Sequence, residues 1–407
     1  MRKFLVVILF LLVAGAVWGQ TDSLRLGYMV RGRVVDARSG RALESVHVST
    51  PGRSQATVTN ADGAFTLKSD HPIYEVTCSY LGYRTRTQKA GEDMVIRLQQ
   101  ESLQLSEASI VTGDPKSIVM AALDRLWDNY CPRPELLECF YRETLQKRNR
   151  YTYVAEAVAK LYKNRYDGSI YKDAAALEKS RVLVSQRKKD TLSVKTLGGP
   201  TVAITHDPLK NPEVLFYKPD LDRYSYTLEA PVYIGDRIQF VVKMTAVVKA
   251  DDYALYNATL YIDRELLTFT RIEASLDMSD RPKAIRMILV KKPLSLRFFP
   301  EEASIVLNYS LTQEGMARLQ YLRSTIRFAC DWKKRLFKTH YTCINELVIT
   351  DLREKATPIP HQERFRRKDQ LSDKAPEFED ADFWQDYNII EPSESLEHAI
   401  NRLKKGK

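Results

Sequence analysis

Few stretches of this sequence combine the residue types and spacings that catalysis or metal binding requires. Asn60-Ala61-Asp62-Gly63 places two oxygen-bearing side chains and a glycine where a calcium loop has its third, fifth and sixth positions. Such a loop also needs an oxygen ligand at its first position and a bidentate Glu at its twelfth. Those positions hold Val58 and Ser69, and neither supplies a carboxylate. Asp-Gly between two β-rich runs is instead a turn signal, because the turn needs residues that tolerate positive φ. The expectation is a structural hairpin turn, with Thr57 and Thr59 before it and Phe65 and Leu67 alternating after it.

Other candidates weaken in the same way. Arg142, Glu143 and Glu156 could make an acid–base cluster, but cross-strand salt bridges on a half-exposed sheet are the expected use. His206-Asp207 stands before Pro208 in a polar stretch and reads as a turn. The histidines (His47, His71, His206, His340, His361, His398) are scattered, and none has Glu three residues on. There is no H-E-x-x-H, no G-x-S-x-G, no C-x-x-C and no phosphate-binding glycine loop. No catalytic, metal or cofactor-binding residue is assigned, no cofactor is expected, and the chain reads as non-enzymatic.

Five cysteines leave at least one thiol without a partner inside the chain. Cys330 and Cys343 flank a basic turn. A tight turn at Lys333-Lys334 sets Cys330 opposite Phe337 and Cys343 opposite Ser324, roughly 20 Å apart along the strands and beyond disulfide reach. Cys131 and Cys139 remain open as partners.

The address is legible at the start. Met1-Arg2-Lys3 is basic, Phe4 to Val13 is apolar, and the small residues Ala14, Gly15 and Ala16 follow before Val17-Trp18-Gly19, the order of a secretory signal peptide with cleavage expected after Gly19. The apolar run is shorter than the roughly 20 residues a spanning helix needs. The first cysteine is Cys78, so the expectation is an exported protein without a lipid anchor, periplasmic or associated with the outer membrane. The formal charge of +10 falls to +8 when Arg2 and Lys3 leave. In that setting the partners expected are envelope proteins or an anionic envelope surface, with a lipid as a further candidate and nucleic acid excluded. The basic clusters Arg187-Lys188-Lys189, Lys333-Lys334-Arg335 and Arg364 to Lys368 lie far apart in the chain and read as solvated turns and a tail.

The elements that would position these residues are mainly strands. Val30 to Gly40 reads as a strand closed by an Asp36/Ser39/Gly40 turn. Val46 and Val48 alternate in a second strand, Val76, Cys78 and Tyr80 in a later one, and Met94, Ile96 and Leu98 in a closing one. Short strands at regular spacing describe a seven-stranded-type β-sandwich over residues 28–100. Gly32-x-Val34-Val35-Asp36, Gly40-x-x-Leu43, Thr59-Asn60-Ala61-Asp62-Gly63-x-Phe65 and Tyr80-Leu81-Gly82-Tyr83 resemble the carboxypeptidase-like regulatory domain, in the expected order. The resemblance implies a transthyretin-like sandwich found at the N-terminus of TonB-dependent receptors and other Gram-negative envelope proteins. It implies a structural Asp-Gly turn and no catalytic residues. Roughly 300 residues follow, too few for a plug and a 22-stranded barrel, so a transmembrane receptor barrel is excluded. The absence of paired metal ligands likewise excludes a zinc carboxypeptidase.

Residues 115–352 read as a large, curved antiparallel sheet with few helices. Asp114 caps a helix with Pro115 at its first position, and Ile118, Ala122 and Leu126 form its stripe. Strands are expected around Phe140 to Glu143 and Tyr153 to Leu161. From Arg237 on, further strands are expected at 237–248, 256–262, 268–278, 284–290, 303–311, 321–332 and 337–349. Leu260-Tyr261-Ile262-Asp263 through Ile272-x-Ala274 resembles the half-barrel of periplasmic lipoprotein carriers, which implies an acyl chain in a concave face. The competing expectation is that the Asp114 helix and the domain's own side chains fill that face. Residues 353–407 form a charged arm ending in a helix from Ser393, whose stripe Leu396, Ile400 and Leu403 is expected to cover Phe240, Val242, Met244, Leu260 and Ile262. The function expected is binding or scaffolding in the envelope; the alternative is a carrier of a lipid or other apolar ligand.

Overall fold

The computed structural model describes residues 28–101 and 113–405, except 53, 188–189, 191, 193, 197, 313–314, 333–336, 354 and 379–386. The signal peptide and its cleavage site lie outside the described residues.

Seven strands make the first unit: β1 (Tyr28–Asp36), β2 (His47–Ser49), β3 (Ala56–Val58), β4 (Ala64–Ser69), β5 (Glu75–Ser79), β6 (Arg86–Lys89) and β7 (Met94–Leu98). They form two sheets, β4-β1-β7 and β3-β2-β5-β6, with β1 and β7 parallel. Alternation of side chains sends Val34, Val48, Phe65, Leu67, Val76, Cys78 and Ile96 into the core between the sheets. The turn after β1 forms as the sequence implies: Asp36 Oδ1 accepts from the Ser39 N–H at 2.6 Å and the Arg38 N–H at 3.1 Å, and Gly40 takes φ +70°. The Ser39 N–H and hydroxyl hold the Asp36 carboxyl at about 2.

Asn60 to Gly63 is a turn, but not the turn of a hairpin. β3 and β4 belong to different sheets, so this loop crosses from one layer of the sandwich to the other. Asn60 Oδ1 accepts from the Asp62 and Ala64 N–H groups, both at 2.9 Å, and Gly63 adopts φ +73°. An Asx turn of this kind reads identically in the sequence whether the next strand pairs back or crosses over.

The second unit is a ten-stranded antiparallel sheet, open at both edges, in the order β10-β9-β8-β19-β18-β17-β15-β14-β13-β12. Its strands are β8 (Glu135–Lys147), β9 (Arg150–Lys163), β10 (Ala174–Val184), β12 (Tyr224–Ile234), β13 (Arg237–Ala246), β14 (Tyr256–Asp263), β15 (Phe269–Leu276), β17 (Leu296–Leu311), β18 (Ala317–Trp332) and β19 (Thr339–Leu352). A separate two-stranded piece pairs β11 (Lys195–Thr196) with β16 (Leu289–Lys291). The helices are α1 (Pro115–Asp124), α2 (Leu126–Asn129), α3 (Pro200–Thr205), α4 (Arg281–Ile288), α5 (Leu371–Lys374) and α6 (Glu394–Lys404). Asp114 caps α1 through the Ser117 N–H at 2.8 Å, and Ser393 caps α6 through the Leu396 N–H at 3.3 Å.

Residues 284–290, expected as a strand, instead lie mostly in α4. The Asp280 side chain accepts from the Lys283 N–H, and Pro282 lies in the first turn, so a cap and a helix-compatible φ outweigh the apolar content of the run. The β18–β19 register also differs from expectation: Cys330 faces Thr339 and Cys343 faces Ile326, because the connection is longer than a tight turn. The two thiols remain four residues apart along the ladder, about 13 Å, and none of the five cysteines is joined in a disulfide.

Both faces of the sheet are covered in part. On one face, Val119, Ala122 and Leu126 of α1 and α2, Ala203 and Ile204 of α3, and Ala284 and Ile288 of α4 share a core with Val242, Met244, Leu260 and Ile262. The arm adds Phe365, Leu371 and Ala375, and the Phe365 N–H donates to Ala175 O at 2.7 Å, a single bridge on the otherwise free edge of β10. The α6 stripe does not cover Val242 and Met244. It packs on the opposite face, where Leu396, Ile400 and Leu403 meet Val154 and Leu183 of β9 and β10. Beside it, Val58 of the sandwich joins Phe140, Val158, Tyr321 and Val348 of the large sheet and Ile389 and Ile390 of the C-terminal segment.

Candidate binding cleft between the two units

The residues singled out by type and spacing turn out to hold the molecule together. Asn60 Nδ2 donates to Pro392 O at 3.1 Å, and Asp62 Oδ2 accepts from the Glu394 N–H at 2.7 Å, at the positive end of α6. Nearby, Asn388 bonds both the N–H and the C=O of Lys68, and Thr57 Oγ1 donates to Ile389 O at 3.0 Å. The calcium-like oxygens are therefore committed to backbone groups of the loop and of the C-terminal segment.

Arg142, Glu143 and Glu156 divide between the two faces. Arg142 Nε donates to Glu156 Oε1 at 2.7 Å, Arg181 lies 2.6 Å from Glu156 Oε2, and Arg142 and Glu156 are buried under the C-terminal segment rather than half exposed. Neighbouring residues of a strand point to opposite sides, and Glu143 faces the helices. It accepts from Tyr141 OH at 2.8 Å, the Gly199 N–H at 2.7 Å and Tyr153 OH at 3.3 Å, while burial raises its pKa. His206 and Asp207 also separate. His206 Nδ1 lies 2.7 Å from Val202 O at the end of α3. Asp207 is fully buried and accepts from Lys163 Nζ at 2.7 Å and Tyr309 OH at 2.7 Å. Among the described residues no three His, Cys, Asp or Glu side chains are grouped to hold a metal.

On the sheet's helix-covered face, a cavity beside Tyr141, His206, Tyr256 and Ile305 measures about 30 Å³. A roomier space lies between the two units, a cleft of about 240 Å³, near the lower end of small-ligand sites at roughly 300 Å³. The sandwich contributes Ser45, His47, Val58, Tyr80 and Leu81; the sheet contributes Ile234, Arg237, Gln239, Asp263, Arg271 and Tyr321. Its position follows from the chain: the Gly82 N–H donates to Tyr233 O at 2.7 Å and pins the sandwich to the end of β12, while Arg323 Nη1 reaches Glu44 at 2.8 Å on the other side.

The charges of the cleft are neutralised within the protein. Arg237 binds Asp263 and Glu265, and Arg271 binds Glu273 at 2.6 Å and Asn308 at 2.7 Å. Gln239 is satisfied by Arg237 O and Thr270 Oγ1. The exception is His47, whose Nε2 is buried without a partner, and burial lowers its pKa to about 4. The cleft therefore presents apolar walls, neutral polar groups and one unmatched imidazole nitrogen. Sequence spacing could not reveal it, since its walls come from segments more than 150 residues apart.

The first wall belongs to a unit with a known relative. Residues 30–111 match the CarboxypepD_reg-like domain. The regulatory-like domain thus supplies Ser45, His47, Val58, Tyr80 and Leu81 to the cleft. No curated protein matches the sequence. Solved structures similar to the chain include a putative outer membrane lipoprotein-sorting protein domain from Vibrio parahaemolyticus, with 12% identity, 61% of this chain and 94% of that one covered, and a TM-score of 0.26. A LolA superfamily protein from Nitrosomonas europaea has 11% identity over 60% of this chain and 96% of that one, with a TM-score of 0.18. A putative membrane-associated protein from Bacteroides fragilis has 9% identity over 80% of this chain and 98% of that one, with a TM-score of 0.15. Likeness at these TM-scores carries no argument about activity. Among the described residues, no helix is long and apolar enough to cross a membrane.

Proposed function

We propose that this is an exported cell-envelope protein that binds or scaffolds without catalysing a reaction, and that its ligand or partner group enters the cleft between the regulatory-like domain and the sheet. The observation that carries this reading is the distribution of space. The face that a carrier of an acyl chain would leave open is occupied by α1, α3 and α4, with a void of about 30 Å³, whereas the cleft measures about 240 Å³. The neutral, amphipathic lining suits a compact group with an apolar body and a hydrogen-bonding edge, including a side chain of a protein partner. The carrier alternative requires a dry channel, because an acyl chain gains about 0.8 kcal/mol per buried methylene only where room exists.

Native mass spectrometry of protein purified from its own envelope tests the choice. The expected result is no stoichiometric lipid. Partner crosslinks from a photoreactive group in the cleft should disappear in Ser79→Trp, which fills the cleft from its wall. A lipid bound one-to-one would overturn the scaffold reading in favour of the carrier.

A further inference from the structure

Basic residues from several distant stretches of the chain meet at one rim of the large sheet. β17 begins at Leu296, opposite Trp332 at the end of β18, and Cys330 stands opposite Thr339 at the start of β19. Tyr341 pairs with Lys147, which pairs with Arg150 across the β8–β9 turn, and the Arg148 N–H donates to His340 O at 3.1 Å. Asp190 brings the Arg187 segment to the same place: its N–H donates to Arg187 O at 2.8 Å, and its carboxylate holds Lys147 and Arg150. Exposed Arg148, Arg187, Lys291, Lys292, Arg297 and Lys338 therefore share this rim. Two of the acids among them are engaged, Asp190 as described and Glu301 with His340 at 2.8 Å, and Asp331 lies in register with Arg297.

Two large apolar side chains project from the same rim. Leu294 is 100% exposed and Phe337 75% exposed. Isolated exposed apolar residues are ordinary on soluble proteins, but these two stand on separate loops at the tip of the sheet, surrounded by cations. The regulatory-like domain lies elsewhere: its contacts with β18 centre on Tyr321 and Arg323, roughly 30–35 Å back along the strand from Trp332. Among the described residues the rim thus lies at the end of the sheet away from the regulatory-like domain, with cations spread over several loops and exposed Leu294 and Phe337 beside them. That arrangement suits a broad, flat, anionic surface into which a tip can dip, more than a protein partner, whose interface would bury a contiguous apolar patch.

We propose that this rim docks on an anionic phospholipid bilayer, with the cations against lipid phosphates and Leu294 and Phe337 entering the headgroup boundary. It goes beyond the cleft reading and does not depend on it. Each basic residue near an anionic leaflet contributes about fivefold in affinity at moderate salt, and the contribution is screened within a Debye length of about 10 Å at 0.1 M.

Co-sedimentation of the purified protein with vesicles tests the proposal. Vesicles containing phosphatidylglycerol should bind the protein at least tenfold more tightly than pure phosphatidylcholine, and the preference should vanish at high salt. Arg148→Glu, Lys291→Glu and Lys292→Glu together should abolish binding, whereas Arg366→Glu with Lys368→Glu, in the arm, should leave it unchanged. Leu294→Ser with Phe337→Ser should weaken vesicle binding several-fold without altering binding of soluble polyphosphate. All substitutions lie on exposed loop or strand-end positions, and an unchanged circular dichroism melt verifies folding. Equal affinity for the two vesicle types, no vesicle binding, or loss with the arm variant would overturn the proposal. So would apolar-tip variants that bind vesicles as the parent does.

Discussion

Replacing Gly63 with alanine should destabilise the regulatory-like domain far more than the same change at Gly82, although both glycines have nearly the same backbone conformation. Their φ angles are +73° and +78°, so each alanine incurs the left-handed penalty of about 1–2 kcal/mol. At Gly82 nothing lies within 4 Å of the new Cβ. At Gly63 the Cβ would fall 2.4 Å from Val34 O and 3.3 Å from both Ala42 Cβ and Leu43 N. The obstacle is backbone that cannot rotate away, and Val34 O already accepts from the Leu43 N–H at 3.1 Å while the Val34 N–H donates to Gly63 O at 2.8 Å. Opening the loop by about 1 Å sacrifices one or both bonds, at about 0.5–1.5 kcal/mol each. The sum is about 1.5–5 kcal/mol for Gly63→Ala against about 1–2 kcal/mol for Gly82→Ala. Hydrogen exchange of the β1 and β4 amides reports the opening free energy of this domain within the whole chain. Calcium should change neither value, because Asn60 and Asp62 are already engaged. If the two variants agree within about 0.5 kcal/mol, the loop is not clamped on Val34, and the crossover geometry argued from it is wrong.

Other outcomes follow from the same contacts. Ile400→Ala should cost about 2–4 kcal/mol in chemical denaturation, as a buried side chain lost from between α6 and the β9–β10 face; removal of residues after Pro392 should destabilise without creating lipid binding. His47 has its folded-state pKa depressed from 6.5 to about 4, so the unfolded chain binds the extra proton between those values. Stability from this group is complete above pH 6.5 and declines by up to about 3 kcal/mol as pH falls towards 4; His47→Gln should flatten that part of the stability–pH curve, and an unchanged slope would assign it elsewhere. Alkylation of denatured, non-reduced protein should label all five cysteines, including Cys330 and Cys343; a linked peptide would contradict the β18–β19 register.

Local signals were legible where one short segment determines its own conformation. Asp36, Asp114 and Ser393 each bond the N–H groups that their spacing implies, and two-residue alternation located most strands of the large sheet. β10 and β12, the edge strands, were missed for a physical reason. β10 is mostly small and polar residues with a shift at Leu177/Lys179, and β12 carries Pro231 within a bulge; edges tolerate both because one side of the ladder is free. The Asp-Gly turn was read correctly, but its crossover from sheet to sheet was not, since pairing partners are set by the whole sandwich. Likewise α6 announced its apolar stripe, while the strands it covers depend on where the arm leaves it. The cleft had no local signature at all.

The joint between Asn60, Asp62 and the start of α6 spans 332 residues of chain. Contacts of such high order close late, because the loop entropy must be overcome before the contact contributes. During synthesis the regulatory-like domain emerges before the large sheet and can form its own core, but its Asx turn has no outer partner until the C-terminal segment has followed. A nascent or clipped molecule would therefore display a finished sandwich beside an uncovered strip of Val154 and Leu183. Because α6 is the element that covers that strip, its docking both buries Val154 and Leu183 and gives the Asx turn of the sandwich its outer partner.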